Sequence, residues 1–314
     1  MKAAYISNYG GPEVMKFGEI PSPALIAGMV IIQVKAVSVN PVDFKIRDGA
    51  MKIFTGKKFP KVLGHDFAGI IDQIGDGVTE FKKGDKIYGF AAVLFGKTGA
   101  MSELAMVSTK QLRKLPEGMS FEEAATIPVG ALTALNGLQK AGNLQGRKVL
   151  VNGATGGVGH FAVQIAKAKG AYVTATCSTR NIDLARKLGA DEVIDYTKQD
   201  VASLNAKFDS ILDAFGKISY SNAVRLLNRK GVYASTLMMP TSFLSSFYYK
   251  LFYNKTLTPA TVKGKPEDFL EVEELFKAGK LKPLIETTFP LEKAKEAFNL
   301  LETGKPRGKV VISV

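Results

Sequence analysis

The chain has few residues of the kinds that build covalent or metal frameworks. Cys177 is the single cysteine among 314 residues, and His65 and His160 are the two histidines. One cysteine excludes a disulfide within the chain and leaves too few thiolates for a metal cluster. A fold held by hydrophobic cores is the alternative. The length suits two domains, and a hydrophobic fraction of 46% supplies material for both cores.

A hydrophobic run suited to a membrane is also missing. The opening residues, MKAAYISNYGG, lack the apolar core of a signal peptide. Residues 231–249 carry no charge, but they include Pro240 and several Ser and Thr. A spanning helix needs about 20 predominantly apolar residues. We therefore expect a protein of the cytoplasm.

Acidic residues are scarce beside basic ones. Asp and Glu number 29 against 42 Lys and Arg, which leaves a net charge of +13. An anionic partner is conceivable, such as a phosphorylated cofactor, a membrane surface or nucleic acid. No long basic run or RNA-binding motif is visible, so dispersed surface charge is the favoured interpretation and nucleic acid is not favoured. Polyanion binding, a structural role and peripheral membrane contact stay as alternatives. For the aromatic segment 243–254, we favour core packing.

The chain divides into two parts with different sequence patterns. Residues up to about 116 are β-rich, with β-branched or apolar runs at 30–40, 67–75 and 85–95 between glycines. From Ser120, which has Glu123 three residues later in a capping-box pattern, strands and helices alternate. We expect Pro128 to interrupt the helices there. Alternation with continuous apolar strands is typical of a doubly wound parallel sheet in an α/β fold.

The segment KVLVNGATGGVGHFAVQIAKAKG combines a strand at 148–152, a glycine-rich turn and a helix from about Val158. Its spacing matches the dinucleotide-binding pattern G-x-G-x-x-G with Ala154 in the first position, Gly156 in the second and Gly159 in the third. The second position lets the backbone approach a pyrophosphate, and the N–H groups at the helix start face the phosphates. We predict that the cofactor contacts Ala154, Thr155, Gly156, Gly157 and Val158.

The residues after the second strand indicate which dinucleotide binds. An NAD site usually has an acidic residue there for the ribose 2′-OH. No acidic residue lies between Gly159 and Asp183, and Asp183 belongs to the next helix. Ser178, Thr179 and Arg180 instead offer hydroxyls and a guanidinium suited to a 2′-phosphate. We therefore predict NADPH as the cofactor. Tyr196 ends the third strand and is expected near the adenosine, with an ordinary strand-end aromatic as the alternative.

Five further segments resemble the quinone-oxidoreductase branch of the medium-chain dehydrogenases/reductases, along the whole chain. They are YGGPEVMKFGEIPSP, SVNPVDFKIRDG, FPKVLGHDFAGIIDQIGDGV, PVGALTAL and GKVVISV. The resemblance implies a GroES-like β-rich catalytic domain formed by residues 1–121 and 282–314. It implies a Rossmann NADPH-binding domain at 122–281, with the active site in the cleft between the two. It also implies reduction of quinones or α,β-unsaturated carbonyls, and monomers or homodimers.

The same resemblance implies that zinc is absent. Alcohol dehydrogenases of the superfamily hold a catalytic zinc with Cys and His, often with a second zinc in a four-Cys lobe. Asn40 stands where the first Cys ligand would be, and the lobe region reads AAVLFGKTGAMSELAMV. His65 remains, but one histidine is not a zinc site. We interpret it as a hydrogen-bonded structural residue.

Without a metal, hydrogen-bond donors must stabilise the charge that develops on the substrate carbonyl. The candidates are the Asn40 amide and the Lys45 ammonium, with Asp43 orienting either one. Lys45 is alternatively a ligand of a cofactor phosphate or a solvated surface residue, and Asn40 is alternatively a turn residue before Pro41. The resemblance places Thr133 near the nicotinamide, although a hydroxyl bonded to its own helix is the alternative. Because ligands bind beyond the carboxyl ends of parallel strands, weaker cofactor candidates are Phe215, Gly216, Leu237 and Met238. Arg307, just before the last strand, is a further candidate that could reach the cleft. The apolar segment 243–254 favours a bulky lipophilic substrate.

Overall fold

The chain folds into two compact units. A computed structural model describes residues 1–91, 99–237 and 242–314. One unit comprises Met1–Val129 with Ile285–Val314, and the other comprises Gly130–Leu284. Both divisions fall slightly later than the sequence boundaries at 121/122 and 281/282. The first does so because the helix Phe121–Thr126 packs against strands of the first unit.

The elements follow the alternation read from the sequence. The strands are β1 (Lys2–Ile6), β2 (Met15–Glu19), β3 (Met29–Val39), β4 (Lys61–Val62), β5 (Asp66–Ile74), β6 (Lys86–Phe90), β7 (Leu104–Ser108), β8 (Leu112–Lys114), β9 (Lys148–Asn152), β10 (Tyr172–Cys177), β11 (Glu192–Asp195), β12 (Phe208–Asp213), β13 (Leu227–Ser235), β14 (Thr256–Pro259), β15 (Ile285–Pro290) and β16 (Lys309–Ser313). The helices are α1 (Pro41–Arg47), α2 (Lys52–Thr55), α3 (Phe121–Thr126), α4 (Leu132–Gln139), α5 (Gly159–Ala168), α6 (Ile182–Lys187), α7 (Tyr220–Leu226), α8 (Ser242–Tyr253), α9 (Pro266–Lys277) and α10 (Ala294–Glu302).

The first unit is built around β3. One of its sheets runs in the order β15-β16-β3-β5-β6-β8, with β7 also paired to β3, and a smaller sheet runs β2-β1-β4. Most of β3 is buried because strands and helices cover both of its faces, which suits its β-branched composition. β16 pairs antiparallel to β3, with Val310 opposite Val39. The end of the chain therefore completes the first unit.

The second unit holds a parallel sheet in the order β11-β10-β9-β12-β13-β14. Every neighbouring pair in that order is parallel. The order places β9 beside both β10 and β12, so the chain winds outward from β9 in both directions. This is the doubly wound arrangement that the sequence predicted. The carboxyl end of β9, where the glycine turn begins, therefore lies at the switch point of the sheet.

Pro128 does not end the helix as the sequence predicted. α3 begins with the expected capping box, in which the Ser120 hydroxyl accepts from the Glu123 N–H at 3.1 Å. The helical path then passes through a π-helical turn, Ile127–Ala131, directly into α4. The wider π turn accommodates the proline ring and its missing N–H without a break.

The aromatic helix α8 is not packed into a core. Leu244 is 83% exposed, Phe247 69% and Phe252 67%. The core interpretation of segment 243–254 is therefore wrong for these side chains. Within the described ranges, no helix has the length and apolarity that a membrane span requires.

Candidate cofactor and active site

The glycine turn between β9 and α5 is shaped by Gly153, Gly156 and Gly159. Gly153 has a φ of 75°, a conformation that favours glycine. A Cβ on Gly159 would lie 2.1 Å from the carbonyl oxygen of Gly153, so this position has no room for a side chain. A Cβ on Gly156 would approach only that same oxygen, at 3.5 Å, which is ordinary contact. Gly153, one residue before Ala154, therefore supplies the sharp turn that the sequence alignment gave to Ala154.

The contrast between Gly156 and Gly159 bears on ligand binding. Gly159 is required by the turn itself, whereas none of the described residues fills the space beside Gly156. A pyrophosphate can approach the backbone closely only if this second position has no side chain. Of the predicted contact residues, Ala154 and Thr155 are buried, while Gly156, Gly157 and Val158 are partly exposed. The turn thus fits a dinucleotide phosphate.

Buried polar side chains support the turn from below. The Thr176 hydroxyl accepts from the Gly153 N–H at 3.1 Å and donates to Asn152 Oδ1 at 2.6 Å. Asn152 Nδ2 then donates to Asp213 Oδ1 at 2.7 Å. This chain connects the ends of β10, β9 and β12, so it fixes the turn relative to three neighbouring strands.

Asp213 also fixes the loop after β12. The N–H groups of Gly216 and Ile218 donate to its carboxylate at 2.7 and 2.9 Å, and the Tyr233 hydroxyl donates at 2.9 Å. These bonds fix the loop that carries Phe215, a predicted cofactor residue. Its side chain is 51% exposed at the carboxyl edge of the sheet.

Three other predicted positions follow β12 and β13 at this edge. Gly216 adopts a φ of 72°. Leu237 is 47% exposed beyond the end of β13. Met238 lies outside the described residues.

The end of β10 presents the residues predicted to select the cofactor. Ser178 is half-buried, whereas Thr179 and Arg180 are exposed. The Thr179 hydroxyl donates to Asp195 Oδ2 at 2.5 Å, and hydrogen bonds from Thr179 and Thr197 hold the Asp195 pKa below its usual range. The Thr179 hydroxyl proton is thus engaged in a hydrogen bond to an ionised carboxylate of the neighbouring strand. Sequence inspection missed it because it considered only the residues that follow β10.

Two residues flank this end of β10. Tyr196 is 53% exposed and its N–H donates to the Cys177 carbonyl, which places it beside Ser178. Asn181, which the sequence did not single out, donates to the Thr155 hydroxyl at 3.1 Å. The glycine turn and the residues that follow β10 are therefore directly connected by a hydrogen bond.

The first unit gathers Asn40 and Asp43 at the start of α1. Asp43 is fully buried and its carboxylate accepts from the N–H groups of Asn40 and Gly64, at 2.8 and 3.2 Å. Burial raises the pKa of Asp43 to about 7. This carboxyl caps the helix and ties it to the strand region before β5. The structure therefore gives Asp43 a positioning role.

The Asn40 amide is committed within the protein. Nδ2 donates to the Ser38 carbonyl and to Asp66 Oδ2, both at 3.0 Å, and Oδ1 accepts from the Lys309 ammonium. The residue is 1% exposed. Both amide hydrogens are used, so Asn40 does not offer a substrate the donor that the sequence suggested. A buried polar network takes its hydrogen bonds instead.

Asp66 and Lys309 form the centre of that network. Lys309 Nζ lies 3.9 Å from Asp66 Oδ2, and both side chains are buried. The Ser38 hydroxyl and the Val129 N–H also donate to Asp66, at 3.0 and 3.2 Å. Burial raises the pKa of Asp66 and lowers the pKa of Lys309, so desolvation disfavours the charged form of each. The network joins β3, β5 and β16 to the start of α1.

His65 differs from the sequence interpretation of a fully hydrogen-bonded histidine. Its Nδ1 is buried and has no hydrogen-bond partner among residues 1–91, 99–237 and 242–314. Burial lowers the His65 pKa, so the imidazole is neutral near pH 7.

The remaining predicted residues are placed differently from one another. Lys45 is half-buried in α1, and its ammonium makes no ion pair or hydrogen bond with the described part of the chain. Thr133 is buried in α4, and its hydroxyl makes no hydrogen bond to its own helix or to other described residues. The Arg307 guanidinium donates to Glu286 at 3.1 Å, and this pairing raises the Arg307 pKa. Lys45 and Thr133 therefore remain available to ligands, whereas Arg307 is engaged by a neighbouring carboxylate.

Comparisons with known proteins agree over the whole chain. Residues 27–117 match the alcohol dehydrogenase GroES-like domain and residues 188–312 match the zinc-binding dehydrogenase model. A Spinacia oleracea chloroplastic quinone-oxidoreductase homolog is 35% identical over 99% of this chain and 98% of its own. The chloroplastic NADPH-dependent alkenal/one oxidoreductase of Arabidopsis thaliana is 33% identical over 99% of this chain and 79% of its own. The solved quinone oxidoreductase from Coxiella burnetii has a TM-score of 0.93 at 31% identity, covering 100% of this chain and 99% of its own.

The residues of the first unit do not fit a catalytic zinc, although one matching model carries that name. A zinc site takes thiolate, imidazole or carboxylate ligands. The Asn40 amide is saturated by hydrogen bonds, and the Lys309 ammonium lies against Asp66, where its charge would repel a divalent cation. Among the described side chains, no group of three His, Cys, Asp or Glu residues is placed to hold a metal.

Proposed function

Because this chain belongs to the quinone-oxidoreductase branch of the medium-chain dehydrogenases/reductases, we propose that it uses NADPH to reduce quinones or α,β-unsaturated carbonyls without a metal. It is an oxidoreductase with the expected GroES-like and Rossmann architecture. The glycine turn at the switch point of the parallel sheet carries the proposal, because its open Gly156 position and buried support fit a dinucleotide. The cytoplasmic location stays a prediction.

The bound nicotinamide supplies the hydride, and the protein supplies binding and orientation. The turn residues Gly157 and Val158 bring backbone N–H groups to the pyrophosphate, whereas the Gly156 N–H donates to the Gly153 carbonyl at 3.1 Å. Phe215 and Leu237 present apolar surface at the same edge of the sheet. The Thr133 hydroxyl is free to orient the nicotinamide half. The network around Asp213 keeps the loop of Phe215 in place.

The preference for NADPH is supported by the end of β10. Ser178 and Arg180 supply a hydroxyl and a guanidinium where the ribose 2′-substituent of such cofactors lies. Thr179 contributes less to phosphate binding than the sequence suggested, because its proton is donated to Asp195. The negative charge of the Asp195 carboxylate repels a phosphate at this position, which limits the preference for NADPH over NADH.

We assign Lys45 as the hydrogen-bond donor to the substrate carbonyl. With the Asn40 amide committed elsewhere, the Lys45 ammonium is the unpaired donor of the predicted set in the described chain. Met51, the residue that precedes α2, donates its N–H to the Lys45 carbonyl at 3.2 Å. Ile53 and Phe54 on α2 are 87% and 62% exposed. This apolar surface beside Lys45 supports a lipophilic substrate with one polar oxygen.

The test follows absorbance of the reduced nicotinamide with a quinone, a short alkenal, a long-chain enone and a saturated aldehyde. We expect NADPH oxidation with the first three and none with the aldehyde, and a chelator should not change the rates. NADPH binding without oxidation across the panel would contradict the proposed activity.

Arg180→Ala tests the assignment of the phosphate site. Loss of a charge-assisted hydrogen bond should lower kcat/KM for NADPH about tenfold to a hundredfold while leaving the value for NADH nearly unchanged. Arg186→Ala is the matched control, because Arg186 is an exposed arginine of α6 that pairs with Asp183. Asp195→Asn should raise kcat/KM for NADPH relative to NADH. Equal effects of Arg180→Ala on both cofactors would remove Arg180 from the phosphate site.

A further inference from the structure

Helix α8 has its apolar side turned away from the protein. Leu244, Phe247 and Leu251 follow one another at helical spacing and are 83%, 69% and 63% exposed. The side that faces the protein carries Ser245, Ser246 and Tyr249, and Tyr249 packs against the core of the second unit. A surface helix of a globular protein has the reverse orientation. The outward side is therefore suited to something other than water.

The outward aromatic rings form one continuous surface. The Tyr248 ring lies 5.0 Å from the Phe252 ring and 5.9 Å from the Tyr253 ring, measured between centroids. A groove of about 790 Å³ runs between this part of α8 and Arg229. Tyrosine and phenylalanine at such a surface combine an apolar body with hydroxyls that reach polar headgroups.

Cations surround this surface. Lys250 is exposed on α8, and Arg229 and Lys230 are exposed near the start of β13. The Lys230 N–H donates to the Asn254 carbonyl at 2.8 Å, which holds this part of β13 against the end of α8. None of these three side chains has an ion pair with any residue that the structure describes.

The surrounding sequence contains no compensating acid. Residues 214–266 include eight Lys and Arg and no Asp or Glu. A symmetric contact with a second copy of this chain would place the same cations face to face, which is unfavourable. The charge is complementary to an anionic surface instead.

We propose that α8 docks this protein onto anionic phospholipid membranes. The helix lies in the plane of the interface, with Phe247, Leu251 and Phe252 inserted between the lipids. Lys250, Arg229 and Lys230 contact the headgroups. The proposal does not depend on the substrate or cofactor assigned above, because it concerns a surface of the second unit that those assignments do not use.

Vesicle co-sedimentation of the full chain tests the docking. The protein should sediment with vesicles of phosphatidylcholine and phosphatidylglycerol, and much less with phosphatidylcholine alone or in high salt. Lys250→Gln should weaken binding about fivefold, and Leu251→Ser about tenfold. The matched controls are Lys277→Gln and Leu270→Ser on α9, whose side chains are also exposed. They should bind as the unchanged protein does.

The chain contains no tryptophan, so a single introduced indole reports insertion directly. The emission of Phe252→Trp should shift to shorter wavelength with anionic vesicles, whereas that of Leu270→Trp should not. Absence of vesicle binding would overturn the proposal, as would equal shifts at the two positions. Sedimentation velocity provides a further check. A dimer that Leu251→Ser dissociates would mean that a second copy covers α8, and it would also overturn the proposal.

Discussion

Replacing Lys309 by methionine tests whether the buried network holds the first unit together. The Lys309 and Asp66 side chains are 4% and 0% exposed, with 3.9 Å between Nζ and Oδ2. Methionine fills similar space but leaves the Asp66 carboxylate without its cation and Asn40 Oδ1 without its donor. Removing one partner of a buried ion pair costs about 3–5 kcal/mol, because an uncompensated charge remains. We expect Lys309→Met to lower the free energy of unfolding by that amount.

A double-mutant cycle separates the pair from general damage. Asp66→Asn together with Lys309→Met removes both charges, so the double variant should be destabilised by less than the sum of the single effects. The difference should be at least about 1 kcal/mol. Urea unfolding followed by circular dichroism measures it, since no tryptophan is available for fluorescence.

The exposed ion pair of Lys114 with Asp85 is the matched control. Its Nζ–Oδ2 distance is 3.1 Å, but the Lys114 side chain is 61% exposed. Lys114→Met should therefore cost less than about 1 kcal/mol. If Lys309→Met cost no more than Lys114→Met, or if the cycle were additive, the buried pair would not stabilise the fold as argued.

Three further predictions concern the glycine turn, Asp43 and Lys45. Gly156→Ala should keep the midpoint of thermal unfolding but weaken NADPH binding at least about tenfold. Gly159→Ala should lower that midpoint, because its Cβ would meet backbone. Calorimetry measures the midpoints and titration measures NADPH binding, and equal midpoints for the two variants would refute the assignment. Asp43 has a pKa of about 7 in the folded protein against 3.8 unfolded, so the folded state binds its proton more tightly. The free energy of unfolding should fall as pH rises from about 4 to about 7, by up to about 4 kcal/mol, and urea unfolding of Asp43→Asn should show a weaker dependence; identical slopes would contradict this. Lys45→Met should lower kcat about a hundredfold without changing NADPH affinity, whereas the exposed Lys52→Met should not, and a loss of affinity instead would place Lys45 on the cofactor.

Local patterns correctly predicted the strand, the glycine-rich turn and the helix of the β9–α5 segment. The strand before Gly153, the helix after it and the capping box at Ser120 depend on residues close in sequence. Spacing of a few residues is sufficient for such features, because the hydrogen bonds and packing that create them are local. The glycine assignment was displaced by one residue, since only backbone angles show that Gly153 makes the turn.

The residues that the sequence interpretation missed are polar groups that meet over long sequence separations. Lys309 and Asn40 are 269 positions apart, and Thr179, just after β10, is 16 positions from Asp195 at the end of β11. Asp213, at the end of an apolar strand, offered a signal that was not used. A buried polar residue that ends an apolar run has to be paired, although its partner cannot be read from the run.

The sequence by itself determined the two-domain α/β architecture, the doubly wound sheet and the glycine-rich turn after β9, because apolar periodicity and glycine spacing act over short stretches of chain. Tertiary structure alone decided which polar side chains remain available. It committed the Asn40 amide to Ser38 and Asp66, left Lys45 unpaired among the described residues, and turned the apolar side of α8 outward. Availability and exposure depend on which distant residues become neighbours, and that is a property of the folded chain.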